Sequence, residues 1–220
     1  MKITLEDVKK NPSIKAYIKK ADESLLALGF TEHSFAHVTK VAVTAQAILD
    51  QAGRTQREGE LAAVAGYLHD IGNMVNRYGH ESSGALMAFQ LLTAMGAQDE
   101  DIATIVTAIG NHDEATAFPV NDVAAALIIA DKADVRRSRV RSKDTIVFDI
   151  HDRVNYAVEA SRISVLAAQQ EILLTLTIDT AICPISEYFE IFLSRMILCR
   201  KAAQKLGFRF ALVINGQKMM

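Results

Sequence analysis

A histidine and an aspartate stand side by side in the segment Leu68-His69-Asp70-Ile71-Gly72. An apolar helix is predicted to end here, because glycine favours a helix end. The imidazole nitrogen and the two carboxylate oxygens would lie close together, which suits one metal ion, or two ions bridged by the carboxylate. The pair is weak evidence alone, because His-Asp dipeptides occur by chance in many chains. A metal site needs further ligands from elsewhere in the sequence.

Two further candidate ligands, His37 and Asp131, each stand within another predicted helix. Asp131 follows the apolar run 124–130, where a carboxylate would be costly to bury without a positive partner. A single helical histidine is more often an ordinary polar side chain than a ligand. Ligands carried by three helices can nevertheless converge on one point, which is how rigid metal sites are built in helical bundles.

Helical periodicity and capping residues predict the elements that would position these side chains. Asn11-Pro12 is typical of a helix start, and Thr31 is a candidate cap for the helix that carries His37. Helices are predicted over about residues 14–28, 32–52, 57–69, 82–95 and 99–109, and from 122 into the basic segment 136–143. Short glycine-marked joints between them indicate a compact helical bundle.

The pattern changes after about residue 144. Segments 145–149 and 153–159 are rich in β-branched residues with some alternation, whereas 161–170 is ambiguous. Further strands are predicted at 171–178 and 208–214, with a long amphipathic helix from Pro184 to about Gly207 between them. The fold class is therefore mainly α: a helical domain over 1–143, and a small α+β appendage over 144–220 with antiparallel strands and one long helix packed on it.

Composition excludes several classes of function. The chain has 220 residues and a net charge of −2, so it gives no electrostatic signal for nucleic acid or for a membrane surface. The longest strongly apolar stretch, 123–130, is too short to span a bilayer, and the N-terminus lacks the apolar run of a signal peptide. Cys183 and Cys199 have no metal or redox spacing, which favours a reducing compartment. We expect a cytoplasmic protein.

The ordered set His37…His69-Asp70…Asp131 resembles the HD superfamily of metal-dependent phosphohydrolases, over about residues 30–140. The signature of that family is a helical histidine, a His-Asp pair and a distant helical aspartate, in this order. The flanking residues agree, in the apolar spacing of 37–41, the helix-ending glycine of 68–72 and the run 129–134 around the last aspartate. The resemblance implies a helical HD-domain bundle and an enzyme that binds metal.

His80 and His112 look like the additional ligands of two-metal members of the superfamily, although histidines are also common at helix ends. On this interpretation one ion takes His37, His69, Asp70 and Asp131. The second ion takes His80 and His112, and Asp70 bridges the two. Such a mixed nitrogen and oxygen set suits divalent transition metals, with iron or manganese as first choice and zinc, cobalt or nickel as alternatives.

The resemblance implies a phosphohydrolase that cleaves a phosphomonoester or phosphodiester, a nucleotide among them, with a metal-activated hydroxide. His69 and Asp70 would be its catalytic residues. The chain departs from members that degrade cyclic di-GMP, because Asn111 replaces the first histidine of their motif and no Gly-Tyr-Pro follows. It also lacks the acidic residues that follow His-Asp in hydrolases of guanosine tetraphosphate. Alternatives are an HD-type di-iron oxygenase, which uses the same ligand set, and a non-catalytic sensor or scaffold.

The candidate substrate contacts are His33, Lys132, Arg136 and Arg137, because arginine in particular matches the geometry of phosphate oxygens. His33 stands one helical turn before His37, and the arginines belong to the basic segment that follows Asp131. The alternative is that these charges are solvated or pair within a helix. The expected partner is a small phosphorylated substrate. The appendage would serve a homodimer or shape the pocket, and His151 within it is expected to be unrelated to the site.

Overall fold

The computed structural model describes residues 1–142 and 144–220, so Lys143, at the predicted domain boundary, lies outside the described residues. The helices are α1 Leu5–Lys10, α2 Pro12–Ala27, α3 Phe35–Gln51, α4 Gln56–Leu68, α5 His80–Ala94, α6 Asp99–Gly110, α7 Asp122–Lys132, α8 Ile150–Ala157 and α9 Ile185–Lys205. The strands are β1 Val158–Leu166, β2 Glu171–Ile178, β3 Arg209–Ile214 and β4 Gln217–Lys218. The fold class is confirmed, with a helical bundle followed by a small α+β appendage.

Helix α7 lies at the centre of the molecule. It contacts α3, α4 and α6 on the side of the bundle and α9 on the side of the appendage. Every residue from Val123 to Ala130 is buried, which explains why this segment is apolar on all sides rather than along one stripe. The side chain of Asn121 caps the helix by accepting a hydrogen bond from the backbone N–H of Ala124 at 2.7 Å.

The start of α3 differs from the prediction. Ser34, not Thr31, is the N-cap, and its hydroxyl accepts a hydrogen bond from the backbone N–H of Ala36. The carbonyl of Thr31 instead accepts a hydrogen bond from the ring of His33. The later start places His37 in the first turn of α3 and leaves His33 on the loop before it.

The prediction of strands over 145–149 and 153–159 is wrong for most of these residues. Residues Asp144–Val147 form a short 3-10 helix, and α8 follows, capped by the Asp149 carboxylate, which accepts from the N–H of His151 at 2.7 Å. Val154 and Ala157 are buried three residues apart, so the helical spacing outweighs the β-branched composition. The first strand, β1, begins at the end of α8 and covers most of the ambiguous segment.

The sheet has the order β1-β2-β3-β4 and is mixed rather than wholly antiparallel. Strands β1 and β2 are antiparallel, as are β3 and β4, but β2 and β3 are parallel. The reason is the connection: α9 lies between β2 and β3 in sequence and returns the chain to the same end of the sheet. Within the described residues, no helix is long and apolar enough to cross a membrane.

Candidate metal centre

The six predicted ligands come from the ends of the bundle helices. His37 lies in the first turn of α3, His69 caps the end of α4 and Asp70 follows it directly. Later helices place the other three. His80 is the first residue of α5, His112 lies just past the end of α6, and Asp131 lies near the end of α7. Asp131 is partly exposed and the other five are buried. The tertiary structure brings all six side chains together.

Each histidine of this cluster is held by its Nδ1 atom. The Nδ1–H group of His69 donates to the carbonyl of Gly66 at 2.8 Å. The Nδ1–H group of His112 donates to the carbonyl of Ile109 at 2.6 Å. His80 donates in the same way to the carbonyl of Arg77 at 3.0 Å. A carbonyl oxygen only accepts, so these rings carry the proton on Nδ1 and present the lone pair of Nε2 to the cluster. Ligating histidines are typically oriented in this way.

The first group of ligands surrounds one point. Nε2 of His37 lies 3.5 Å from Oδ2 of Asp70 and 3.4 Å from Oδ1 of Asp131, and Nε2 of His69 lies 3.1 Å from Oδ2 of Asp70. Donor atoms bound to one ion at about 2.1 Å lie roughly 3 Å apart. Among the described residues, the buried Nε2 atoms of His37 and His69 and Oδ2 of Asp70 have no hydrogen-bond partner. Buried polar atoms are rarely left unpaired, so this geometry fits a divalent cation.

The second group lies on the other side of Asp70. Oδ1 of Asp70 is 3.7 Å from Nε2 of His80, and the Nε2 atoms of His80 and His112 are 3.3 Å apart. Asn73 fixes the carboxylate by donating a hydrogen bond from Nδ2 to Oδ1 at 2.9 Å. Burial lowers the pKa of His112 to about 3, so its ring is neutral, as a metal ligand must be. His112 also lies within reach of His69 and Asp131, between the two groups.

The two carboxylates of the cluster are ionised despite their burial. Burial raises the pKa of Asp70, but the nearby rings of His69 and His37 hold it well below its usual range. Burial likewise raises the pKa of Asp131, and Lys132 and His37 outweigh that effect. The centre therefore offers negatively charged oxygens next to imidazole nitrogens, the mixed donor set expected for a divalent transition metal.

The ring of His37 is positively charged when no cation is bound, because its pKa is raised. Burial and the nearby Arg139 lower the pKa of His37, but the adjacent carboxylates of Asp131, Asp134 and Asp70 outweigh them and raise it to about 10. The surrounding carboxylates thus favour a positive charge at this point. A divalent cation would satisfy the same preference and would displace the proton.

Asp134 positions His37, and sequence reasoning did not single it out for this role. Its buried carboxylate accepts from Nδ1 of His37 at 2.8 Å, and it contacts Lys40 at 2.8 Å and Arg136 at 3.0 Å. A carboxylate on the far nitrogen of a ligating histidine fixes the ring and raises its basicity. The sequence did contain a signal for this role, because Asp134 is the second aspartate of the run 129–134 and stands three residues after Asp131.

A cavity of about 400 Å³ opens beside the cluster, and its wall combines the ligands with positively charged side chains. Of the predicted substrate contacts, His33 and Lys132 line it, whereas Arg136 and Arg137 do not. Arg136 pairs with Glu32 and Asp134. The guanidinium of Arg137 donates to the Tyr156 carbonyl and stacks on its ring.

Lys132 directly follows Asp131 on α7, and its side chain also reaches the cluster. Its flexible side chain folds back so that Nζ lies 2.6 Å from Oδ2 of Asp131. His151, expected to be unrelated to the site, also lines the cavity. Three arginines line the wall: Arg139 belongs to the basic segment singled out in the sequence, whereas sequence reasoning missed Arg77 and Arg195. Arg77 stands three residues before His80, which was a usable signal, but nothing in the sequence connects Arg195 on α9 with the centre.

Comparison with known proteins found one matching family model and a solved structure similar to part of the chain. The HD domain family model matches residues 34–155, a range that contains all six clustered side chains. One solved structure similar to part of the chain is the crystal structure of a predicted HD superfamily hydrolase from an uncultured Thermotogales bacterium. It is 24% identical, with 56% of this chain and 67% of that chain covered and a TM-score of 0.45. No curated protein matches the chain. Because the family model covers more than half of the sequence, the chain belongs to the HD domain family.

Proposed function

We propose that the protein is a metal-dependent phosphohydrolase that cleaves a phosphomonoester or phosphodiester. The observation that carries this proposal is the arrangement of Asp70, whose two oxygens face two separate groups of histidine Nε2 atoms. His37, His69, Asp70 and Asp131 would hold one cation. His80 and His112 would hold the second, with Asp70 shared between them. Bound cations would supply the Lewis acid that activates water and offsets phosphate charge.

The chain's own cationic side chains support a phosphorylated substrate. Arg77, Lys132 and Arg139 line the cavity directly beside the cluster. Arg139 is buried and held in place, because its guanidinium donates to the carbonyls of Glu32 and Asp134 at 3.0 and 2.9 Å. Groups fixed in this way can bind an anionic substrate and stabilise charge that develops during the reaction, without reorganising at that moment.

The donor set favours iron or manganese over magnesium in this proposal. Four histidine nitrogens and two carboxylates make a mixed set, whereas magnesium prefers oxygen ligands alone. Zinc, cobalt and nickel are compatible with the same donors. Metal analysis of the purified chain, with ions counted per chain before and after chelation, measures this directly.

The test of the activity is phosphate release from a panel of phosphomonoesters and phosphodiesters, under anaerobic conditions, with each metal added to the chelated protein. We expect release with manganese or iron and none in chelator. His69→Ala should lose both metal and activity, whereas His151→Ala, which changes an exposed histidine of the cavity outside the cluster, should keep its metal.

Other outcomes of the same experiment would contradict the proposal. Bound iron without phosphate release, together with oxygen consumption on an organic substrate, would indicate the oxygenase. Unchanged metal content in both His69→Ala and Asp70→Ala, with no turnover of any substrate, would indicate a non-catalytic sensor or scaffold.

A further inference from the structure

A second cavity adjoins the one at the metal centre. It is a broad apolar groove of about 970 Å³. The two cavities share four wall residues, Leu28, Phe30, Arg77 and Asp113. A molecule bound at the cluster can therefore extend past these residues into the groove. We use "apolar groove" for this second cavity.

The apolar groove presents hydrophobic side chains that the rest of the protein does not cover. Tyr78 is 91% exposed, Val75 64% and Leu28 62%, and the ring of Phe30 is 41% exposed. All four line the groove. Isolated exposed apolar residues are ordinary, but a group of them around one concave surface is typical of a ligand site.

Arg77 stands at the junction of the two cavities, and its charge is not paired with a carboxylate. Within the described residues, no carboxylate oxygen lies within 4.0 Å of its guanidinium, which instead donates to Oδ1 of Asn73 at 3.3 Å and to Nε2 of His80 at 3.4 Å. The same group lies 5.5 Å from the centre of the Phe30 ring. By contrast, Lys132 is paired with Asp131, and Arg195, another arginine of the first cavity, is paired with Glu114.

We infer that Arg77 and the apolar groove form one substrate subsite, in which Arg77 binds the phosphate of the substrate and the groove binds an aromatic organic group. Three observations support this inference: the shared wall of the cavities, an Arg77 guanidinium without a carboxylate partner among the described residues, and the exposed rings of Phe30 and Tyr78. Aromatic rings bury a large apolar area and pack well edge-to-face or offset on other rings. The inference rests on the proposed function, because it takes the ligand of the metal centre to be a phosphate ester.

Two non-hydrolysable probes, phenylphosphonate and methylphosphonate, test the subsite without requiring turnover. Their dissociation constants are measured by calorimetry with the full chain loaded with manganese. Phenylphosphonate should bind about tenfold more tightly, because burying the ring in the groove adds apolar contact. The double variant Leu28→Ala/Tyr78→Ala should lose most of this preference and leave methylphosphonate binding unchanged.

Arg77→Ala should weaken the binding of both probes by a similar factor, about tenfold, because it removes the contact to their shared anionic group. For the double variant Leu28→Ala/Tyr78→Ala, the matched control is Leu86→Ala. Leu86 is 71% exposed and lines neither cavity, so the variant should bind both probes as the unaltered protein does.

Equal affinity for the two probes, or binding of neither, would overturn the inference, as would a preference that survives the double variant. Failure of the proposed function looks different. Selective binding of phenylphosphonate, without phosphate release from any ester, would support the subsite and contradict the hydrolase. Phosphate release from an ester, without any preference for phenylphosphonate over methylphosphonate, would support the hydrolase and overturn the subsite.

Discussion

The carboxylate of Asp70 is shared between two sets of ligands. Oδ2 faces His37 and His69, and Oδ1 faces His80. The backbone explains this position, because Asp70 stands where α4 ends and the 3-10 helix Ile71–Met74 begins. Its side chain therefore lies in the centre of the cluster rather than along one helix face. In the two-cation proposal, Asp70 is the residue that both cations require.

Asp70→Ala should abolish binding of both cations, because it removes one oxygen ligand from each group. His80→Ala should remove the second cation and retain the first, since His80 faces only Oδ1. Metal content per chain, measured on purified variants after dialysis, distinguishes the two results. His151→Ala is the control and should retain full metal content. Full metal content in Asp70→Ala would contradict the two-cation model.

Asp134→Asn should weaken metal binding by about 10- to 100-fold, the range seen when the partner of a ligating histidine is removed. The amide keeps the size of the carboxylate but removes the charge that orients Nδ1 of His37. Competition with a coloured chelator measures the affinity. Asp22→Asn is a suitable control, because Asp22 pairs with Arg141 and contacts no member of the cluster. Equal affinity in the two variants would mean that Asp134 does not position the ligand.

At the scale of elements, the cluster is assembled by helix ends that approach closely. Gly72, just after the His-Asp pair, lies against the start of α5. A Cβ atom added there would overlap the carbonyl oxygen of His80 and lie 2.5 Å from the backbone nitrogen of Gly84. Both neighbours are backbone atoms that cannot move aside cheaply. The glycine therefore allows the backbone that carries Asp70 to approach the backbone that carries His80.

Gly72→Ala should destabilise the protein by about 1–3 kcal/mol, as overpacking against rigid neighbours does. It should also reduce occupancy of the second cation, because His80 must shift. Urea unfolding followed by circular dichroism measures the free energy of unfolding. Gly110→Ala is the matched control: its Cβ would meet only Ala85 at 3.7 Å, an ordinary contact, so it should be neutral or stabilising. Equal stabilities of the two variants would show that the close approach is not required.

At the scale of the whole molecule, the appendage and the bundle share one buried helix. α7 carries Asp131 and packs against α3 and α4 on one side and α9 on the other. The wall of the first cavity also draws on both parts, with Asp152 and Asn155 from α8 and Arg195 from α9. The division at residue 143 stays a prediction, but the packing of α7 ties the stability of the two parts together.

We expect the full chain to unfold in a single thermal transition, because separating the appendage would expose the apolar surface of α7. In differential scanning calorimetry, the calorimetric and van't Hoff enthalpies should agree. Chelated protein should behave in the same way at a lower midpoint temperature, since a cation that binds only the folded state stabilises it. Two resolved transitions would show instead that the parts fold independently.

The bundle helices and the candidate ligands were predictable because their signals are local. Caps such as Asn11 and Asn121 act within three residues, and apolar periodicity reports which face of a helix is buried. The ligand candidates depend on residue type and order along the chain, and all of them lie within the range that the family model matches. The helix α8 was mistaken for strands because its β-branched composition is a weak preference that packing overrides.

The candidate ligands of the centre can therefore be identified from the sequence alone: a His-Asp pair, three further histidines and a distant aspartate. The parallel pairing of β2 and β3 and the contact of Asp134 with His37 depend on long-range packing. So does the wall of the cavities, which joins Arg77, Phe30 and Arg195 from distant parts of the chain. Ligand type is a property of single residues, whereas the surroundings of a substrate are a property of surfaces that exist only after the helices have packed.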